Sequence, residues 1–305
     1  MELKNETILM NKVVWYYYFG NLTQQNISEL LGISRARIIR LLEKARETGV
    51  IQFRMHPEHG HRMETETRLA CLWDLKDVMI VPTASDGMNT NENIANAAAI
   101  YINNLVPENA YINVGYGDTL NRMVNRLAQI TESTVSIVSL TGGVNCYLPN
   151  ASSSIFNARL YLTPAPILMS SPEMVAAINN EPSVRQIAQM VKLSFLTVVG
   201  IGAMDDNATV LRDGIIGKND FIFLSMQGAV GDILCHFLDR DGKPILSDVE
   251  NRLISTPLEA LQNLNNVIGV AGGRHKVDAI RSVLKGHYLD VLITDEETAE
   301  LLTVS

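Results

Sequence analysis

The sequence predicts an α/β protein: an N-terminal winged helix-turn-helix, followed by a larger domain built on a mainly parallel sheet. Two observations predict it. Between residues 23 and 48, TQQNISELLG and ISRARIIRLLEKARET read as short amphipathic helices joined at a glycine. From Val78 onward, continuous apolar runs of strand length end in glycines and feed helices, the pattern of parallel strands buried on both faces. The expected division is a DNA-binding unit over 1–56, a connector over 57–75 and a ligand-binding and oligomerisation domain over 76–305.

The elements follow in order. Met10 to Phe19, with its aromatic run WYYYF, is expected to form a helix covering the next two. Thr23 suits an N-cap, and Ile27, Leu30 and Leu31 fall at helical spacing. Gly32 permits the reversal, Ser34 caps the second helix, and Ile38, Ile39, Leu41 and Leu42 give its buried stripe. Gly49 stops it, and Val50 to Met55 alternates enough for a wing strand. Residues 56–61 (HPEHGH) read as a polar hinge. Their three histidines lack further ligands, so a metal site weighs less than a solvated loop. A connector helix is expected over 62–75. Strands are expected at 78–82, 195–202, 221–225, 267–273 and 291–294, and strands running into glycine turns at 111–117 and 135–143. The intervening helices are expected at 91–105, 118–130, 274–285 and 295–302.

The second helix of the N-terminal pair carries the chemistry of a nucleic-acid reader. A recognition helix enters the major groove by its N-terminal end. Ser34, Arg35, Ala36 and Arg37 occupy that end, with Arg40 one turn later. Arginine offers a fork to guanine or phosphate, and serine can donate to phosphate. Thr23, Gln24 and Gln25, at the start of the preceding helix, are placed to touch the DNA backbone. The blander alternative is a small helical bundle with a solvated basic face. Cap, glycine turn, apolar stripe and leading arginines agree better with the reader.

The formal net charge of −8 looks wrong for a DNA partner until it is divided. Residues 1–56 carry eight basic and five acidic side chains, net +3, so the remainder carries −11. An acidic body limits nonspecific attachment to DNA. Cys71, Cys146 and Cys235 give no zinc spacing and no disulfide framework, which fits a reducing cytoplasm. No signal peptide and no apolar run of membrane-spanning length is visible, so no membrane partner is expected.

Four glycine segments follow expected strands: GYGDT (115–119), TGG (141–143), GIGA (200–203) and AGG (271–273). Glycine lets backbone amides approach an anion, and a following helix start adds its positive end. Gly115, Gly117, Asp118 and Thr119, with Thr141, Gly142 and Gly143, are therefore candidate phosphate-binding residues. Each turn alone is equally a plain connection. GYGDTL lacks the third glycine of a dinucleotide fingerprint, so a nicotinamide cofactor is disfavoured and none is expected. Asp232 in GAVGDIL suits sugar hydroxyls, and Lys276 in AGGRHK suits phosphate. Otherwise Asp232 caps a helix and Lys276 is solvated. His236 is expected to be structural, and His275 solvated.

With these segments in place the chain resembles the SorC family of sugar-responsive bacterial regulators over essentially its full length. The marks are LTQQNISELLGISRARIIRLLEKARETGVI, GYGDTL, SLTGG, VVGIGA, GAVGDI, GVAGG with Lys276, and LITDEETA. Within the family it is most similar to the repressors of autoinducer-2 uptake. The resemblance implies a ligand domain like phosphosugar isomerases of the glucosamine-6-phosphate deaminase type, without catalysis. It further implies a phosphorylated sugar-like effector, double-stranded operator DNA as partner, and homodimers or homotetramers. It would place Asp232 and Lys276 in the pocket, with the turns at 115–119 and 141–143 nearby. Asn145 and Cys146 depart from the family pattern and leave effector identity open.

Two functional classes are carried forward. One is a ligand-controlled DNA-binding regulator, expected to be a repressor and not an enzyme. The other is a phosphosugar isomerase or deaminase with an appended reader, for which Asp232 would be the attractive base.

Overall fold

The protein is described from a computed structural model, over residues 2–51, 57–83, 87–132, 134–147 and 158–304. It divides into two compact units, Met1–Gly60 and His61–Ser305.

In the first unit, helix α1 (Glu2–Val14) runs into a π-helical turn, Trp15–Phe19. The helix expected from Met10 thus starts eight residues earlier, since Glu2 to Leu9 carries no breaker. Helix α2 (Gln24–Leu31) is capped by Thr23, whose Oγ1 accepts from the Asn26 amide at 3.1 Å. Helix α3 (Arg35–Glu47) is capped by Ser34, whose Oγ accepts from the Arg37 amide at 3.3 Å. Between them Gly32 has φ +64°, a conformation that costs a side-chain-bearing residue about 1–2 kcal/mol. The Ser28 hydroxyl donates to the Ile33 carbonyl at 2.6 Å and closes the turn. Met10, Val13, Ile27, Ile38, Leu41, Leu42 and Ala45 form the shared core. Leu30, expected on the buried face, is 58% exposed, because Ile27 and Leu31 already face the core. Val50 and Ile51 lie in bends, and the rest of the expected wing lies outside the described residues.

Helix α4 (Pro57–Trp73) begins in the first unit and continues into the second; it includes residues expected as hinge, with proline at its first position, where no amide donor is needed. Seven strands then build one parallel sheet: β1 (Asp77–Val81), β2 (Tyr111–Val114), β3 (Val135–Ser139), β4 (Ala158–Tyr161), β5 (Leu196–Ala203), β8 (Val267–Val270) and β9 (Val291–Asp295). Their order is β1-β9-β8-β5-β2-β3-β4. A short hairpin of β6 (Gly231–Ile233) and β7 (His236–Leu238) pairs antiparallel with the end of β5. Helices α5 (Gly87–Leu105) and α6 (Asp118–Ile130) share a core with one sheet face, through Ile94, Ile102, Leu120 and Met123. Helices α12 (Leu258–Gln262), α13 (Val277–Lys285) and α14 (Glu296–Thr303) join α4 in a second core on the other face. Adjacent residues divide between them: Ile137 and Val198 belong to the first core, Val138 and Val199 to the second.

Three expectations are corrected. FIFLS at 221–225 is not a strand but part of helix α10 (Lys218–Met226). Phe221 and Leu224, three apart, are buried, while Ile222 and Phe223 are 47% and 57% exposed, which is helical spacing. GIGA is not a turn: β5 continues through Ala203 and pairs with β6. Third, the sequence leads one to expect no element between 144 and 194. That span holds β4 and helices α7 (Pro172–Asn180) and α8 (Pro182–Leu193). Helices α9 (Thr209–Arg212) and α11 (Asp248–Asn251) are single turns.

The topology fixes where a ligand belongs. From β2 the sheet grows through β3 to one edge, and from β5 through β8 and β9 to the other. The crevice between β2 and β5, at their carboxyl ends, is the point where strand order reverses. Among the described residues, no helix is long and apolar enough to cross a membrane.

Candidate functional site

A cleft of about 180 Å³ opens at that crevice. Tyr116 to Leu120 line it beyond β2, Gly200 to Ala203 along β5, and His275 and Lys276 beyond β8. A volume of this size suits a small metabolite, below the usual range of about 300–1,000 Å³ for drug-sized ligands.

Asp232 lies on β6 and is 4% exposed. Its Oδ2 accepts from the Tyr116 hydroxyl at 2.9 Å and from the Cys235 amide at 3.1 Å. Its Oδ1 faces Gly202 so closely that a Cβ there would collide with it. Burial pushes the carboxyl above the ordinary aspartate range; the Tyr116 and Cys235 hydrogen bonds and the nearby Lys276 charge oppose this. The Tyr116 phenol is pushed well up, by burial and then by Asp232. Asp232 is thus no helix cap. It is an oriented carboxylate in the cleft wall.

Lys276 ends the one-turn 3-10 segment Arg274–Lys276 and stands directly before α13. It is half-buried, and among the described residues its ammonium makes no hydrogen bond or ion pair. Burial lowers its ammonium below the ordinary lysine range, opposed by the charges of Asp232, Asp205 and Asp118. Asp118 is itself held by Arg122 at 2.9 Å, and Arg122 also reaches Glu92 at 2.7 Å. His275 is exposed, with Nε2 4.0 Å from Asp205 Oδ2.

The loop that presents Lys276 is fixed from behind by Asp295, the N-cap of α14. Asp295 Oδ2 accepts from the Gly273 amide at 2.8 Å and the Thr298 hydroxyl at 2.6 Å. Its Oδ1 accepts from the Thr83 hydroxyl at 2.9 Å and the Thr298 amide at 3.1 Å. Burial would raise this carboxyl, but the hydrogen bonds from Thr298, Gly273 and Thr83 outweigh it and hold it below the ordinary range.

In the first unit, Ser34, Arg35, Ala36, Arg37 and Arg40 are all exposed along the start of α3. The Arg35 guanidinium donates through Nε to the Gln24 side-chain carbonyl at 3.2 Å. Gln25 turns away and donates to Glu29 at 2.9 Å. Lys44 pairs with Glu6 at 3.2 Å, so part of the basic charge is used within the unit.

Residues 58–303 match the family model described as "Putative sugar-binding domain". The transcriptional regulator LsrR of Enterobacter sp. (strain 638) is 34% identical over 299 residues, covering 96% of this chain and 92% of that protein. LsrR of Escherichia coli (strain K12) is 32% identical over 292 residues, covering 94% and 92%. The chain belongs to the SorC family of transcriptional regulators. The fold agrees: the full-length sorbitol operon regulator SorC from Klebsiella pneumoniae matches with a TM-score of 0.71 at 24% identity, over 97% of this chain and 98% of that one. A transcriptional regulator from Streptococcus pneumoniae TIGR4 matches with a TM-score of 0.70 at 25% identity, over 80% and 97%.

In this SorC-family chain the structure brings together Gly117, Asp118, Thr119, Asp232 and Lys276. Gly115 is not in the cleft wall and packs against Leu234 and Leu120. Nor do Thr141, Gly142 and Gly143 line it. The Thr141 hydroxyl is buried against the Tyr147 hydroxyl at 2.7 Å, and a Cβ on Gly142 would meet the carbonyls of Pro166 and Ala165. Those glycines serve close packing. Asp205, Asn207, Thr209 and Arg212, beyond β5, line the cleft and escaped the sequence reading. The polar run MDDNAT after VVGIGA is the only signal for the first three.

His236 is structural, with Nδ1 2.8 Å from Glu250 Oε1 and Nε2 3.0 Å from the Thr256 carbonyl. Cys71, Cys146 and Cys235 are free thiols, and the side chain of Asn145 lies outside the described residues. Among the described residues, no cluster of His, Cys, Asp or Glu could hold a metal ion. His56 and the side chain of His59 lie outside them.

Proposed function

We propose that this regulator binds operator DNA through α3 and is released from it by a phosphorylated sugar-like effector seated in the cleft. The observation that carries the effector reading is the pairing of opposite chemistries there. Lys276 offers an ammonium with no hydrogen-bond or ion-pair partner among the described residues, and Asp232 offers an oriented carboxylate. A phosphoryl group satisfies the first and sugar hydroxyls the second. The amides at the start of α6 add the positive end of a thirteen-residue helix. Gly117, Asp118 and Thr119 contribute there.

The DNA reading rests on the exposed arginines and on Ser34 at the leading end of α3, with Thr23 and Gln25 beside the phosphates and Gln24 against Arg35. A reader of net +3 on a body of net −11 binds weakly alone. Two or four copies joined through their ligand domains present paired readers to a two-fold operator. The effector acts as a repressor's inducer by preferring a body conformation that misplaces the readers.

A thermal-shift screen of aldose and ketose phosphates, each beside its unphosphorylated sugar, tests the effector. Stabilisation by the phosphate form alone, with no turnover of that compound, is the expected result. Turnover would favour the isomerase reading, and equal response to the free sugar would remove the phosphate.

A further inference from the structure

The arginines leading α3 are not equivalent. Arg37 has no side-chain partner among the described residues. Arg40 only reaches back to the Ala36 carbonyl, at 3.5 Å. Arg35 is held from another helix, by the 3.2 Å bond from its Nε to Gln24 Oε1. Gln24 stands at the first position of α2, fixed by the Thr23 cap. The two side chains share a surface depression with Tyr17, Asn21 and Leu22.

We infer that Gln24 is a positioning residue for Arg35, and that Arg35 reads a guanine through the far edge of its guanidinium. This rests on α3 being the recognition helix. The chemistry is that of a planar fork with five N–H donors. One is spent on Gln24, leaving the two Nη groups free side by side. That edge matches the O6 and N7 acceptors of guanine. An unheld arginine must give up rotamer freedom when it docks, whereas Arg35 is already oriented. Gln24 therefore contributes base selectivity without touching a base.

The duplex used as probe is the sequence that the full-length protein enriches from a randomised library. Binding is measured for the unchanged protein, Gln24→Ala, Arg35→Ala and the double variant. Gln24→Ala is expected to weaken binding about three- to tenfold, the range of one hydrogen bond. In the Arg35→Ala background the same change is expected to alter affinity less than twofold. Repeating the enrichment with Gln24→Ala should relax the same base position that Arg35→Ala relaxes and leave the others intact. Equal losses from Gln24→Ala in both backgrounds, or uniform weakening at every base position, would overturn the positioning role. Unchanged thermal unfolding of Gln24→Ala keeps the comparison free of folding defects. Failure of the full-length protein to enrich any sequence overturns the DNA reading itself, which is a separate result.

Discussion

Replacing Lys276 by methionine should separate the effector's affinity from the protein's fold. Methionine keeps the length and the apolar stem and removes only the charge. This ammonium is half-buried, depressed by burial and without a hydrogen-bond or ion-pair partner among the described residues, so its loss should leave the stability of the free protein unchanged or raised. In the complex it would lose a charge-assisted bond to phosphate, worth about 1.5–3 kcal/mol, or roughly a 10- to 150-fold loss of affinity. At a ligand concentration 100 times Kd the unchanged protein gains about 2.7 kcal/mol. A hundredfold weaker variant at the same concentration gains about 0.4 kcal/mol. At about 2–4 °C per kcal/mol for a domain of this size, a shift of roughly 5–10 °C should collapse to 1–2 °C. Differential scanning fluorimetry with the phosphosugar chosen by the screen reads this directly. Lys276→Met retaining the full shift would falsify the placement of the phosphate.

Three further outcomes follow from the same geometry. Asp295→Ala should cost about 3 kcal/mol or more in urea unfolding, since the Thr298 amide and hydroxyl and the Thr83 hydroxyl lose their acceptor together, and Gly273 keeps only the Thr298 hydroxyl oxygen. Because the folded carboxyl lies below its unfolded value, its contribution is present above the ordinary aspartate range and disappears as pH falls through the depressed value. Asp295→Asn should therefore flatten the acid limb of the stability curve, and an unaltered limb would contradict the network. Asp232→Ala leaves the Tyr116 hydroxyl and Cys235 amide buried without an acceptor and should cost about 2–4 kcal/mol, whereas Asp232→Asn keeps an acceptor and should cost less than about 1. The raised folded value of Asp232 means that its own contribution to stability falls as pH rises from the ordinary aspartate range through that value; the difference between wild type and Asp232→Asn, followed by unfolding at several pH values, should show this trend. Finally, the double change of Arg35 and Arg37 to alanine should reduce operator binding at least tenfold, with each lost phosphate contact lowering the salt slope by about 0.9. Unchanged affinity in a mobility-shift titration would remove α3 from the interface.

What the sequence made legible was local. Helix α6 falls at 118–130 as expected, because its apolar stripe, its glycine start and its length all agree. The caps Thr23 and Ser34 were readable for the same reason: each acts on an amide three residues away. Strand runs were readable where both faces are buried. FIFLS failed because a five-residue apolar run carries no period, and its exposed Ile222 and Phe223 look the same in one dimension as core residues. The segment after β3 failed differently, since a Gly-Gly pair can face either an anion or a neighbouring carbonyl. Here Gly142 faces the Pro166 carbonyl, 24 positions further along the chain.

The cleft itself shows where such limits lie. Asp232 stood out as a charge in an apolar context, but nothing adjacent to it names Tyr116, which lies 116 residues earlier and fixes its orientation. Lys276 stood out beside glycines, yet the residue that fixes its loop is Asp295, across from Gly273 by 22 positions. The only local trace of that role was an aspartate three residues before a threonine at a helix start, which announces a cap and conceals a second bond. The parallel sheet is what joins these pairs. It stacks β8 beside β9, so that the carboxylate ending one strand reaches the amide of the loop leaving the other. Residue types thus marked the groups that could meet a ligand, while the groups that hold them in place became visible only when strand order was known. A substitution at Asp295 should accordingly disturb Lys276 without touching the cleft.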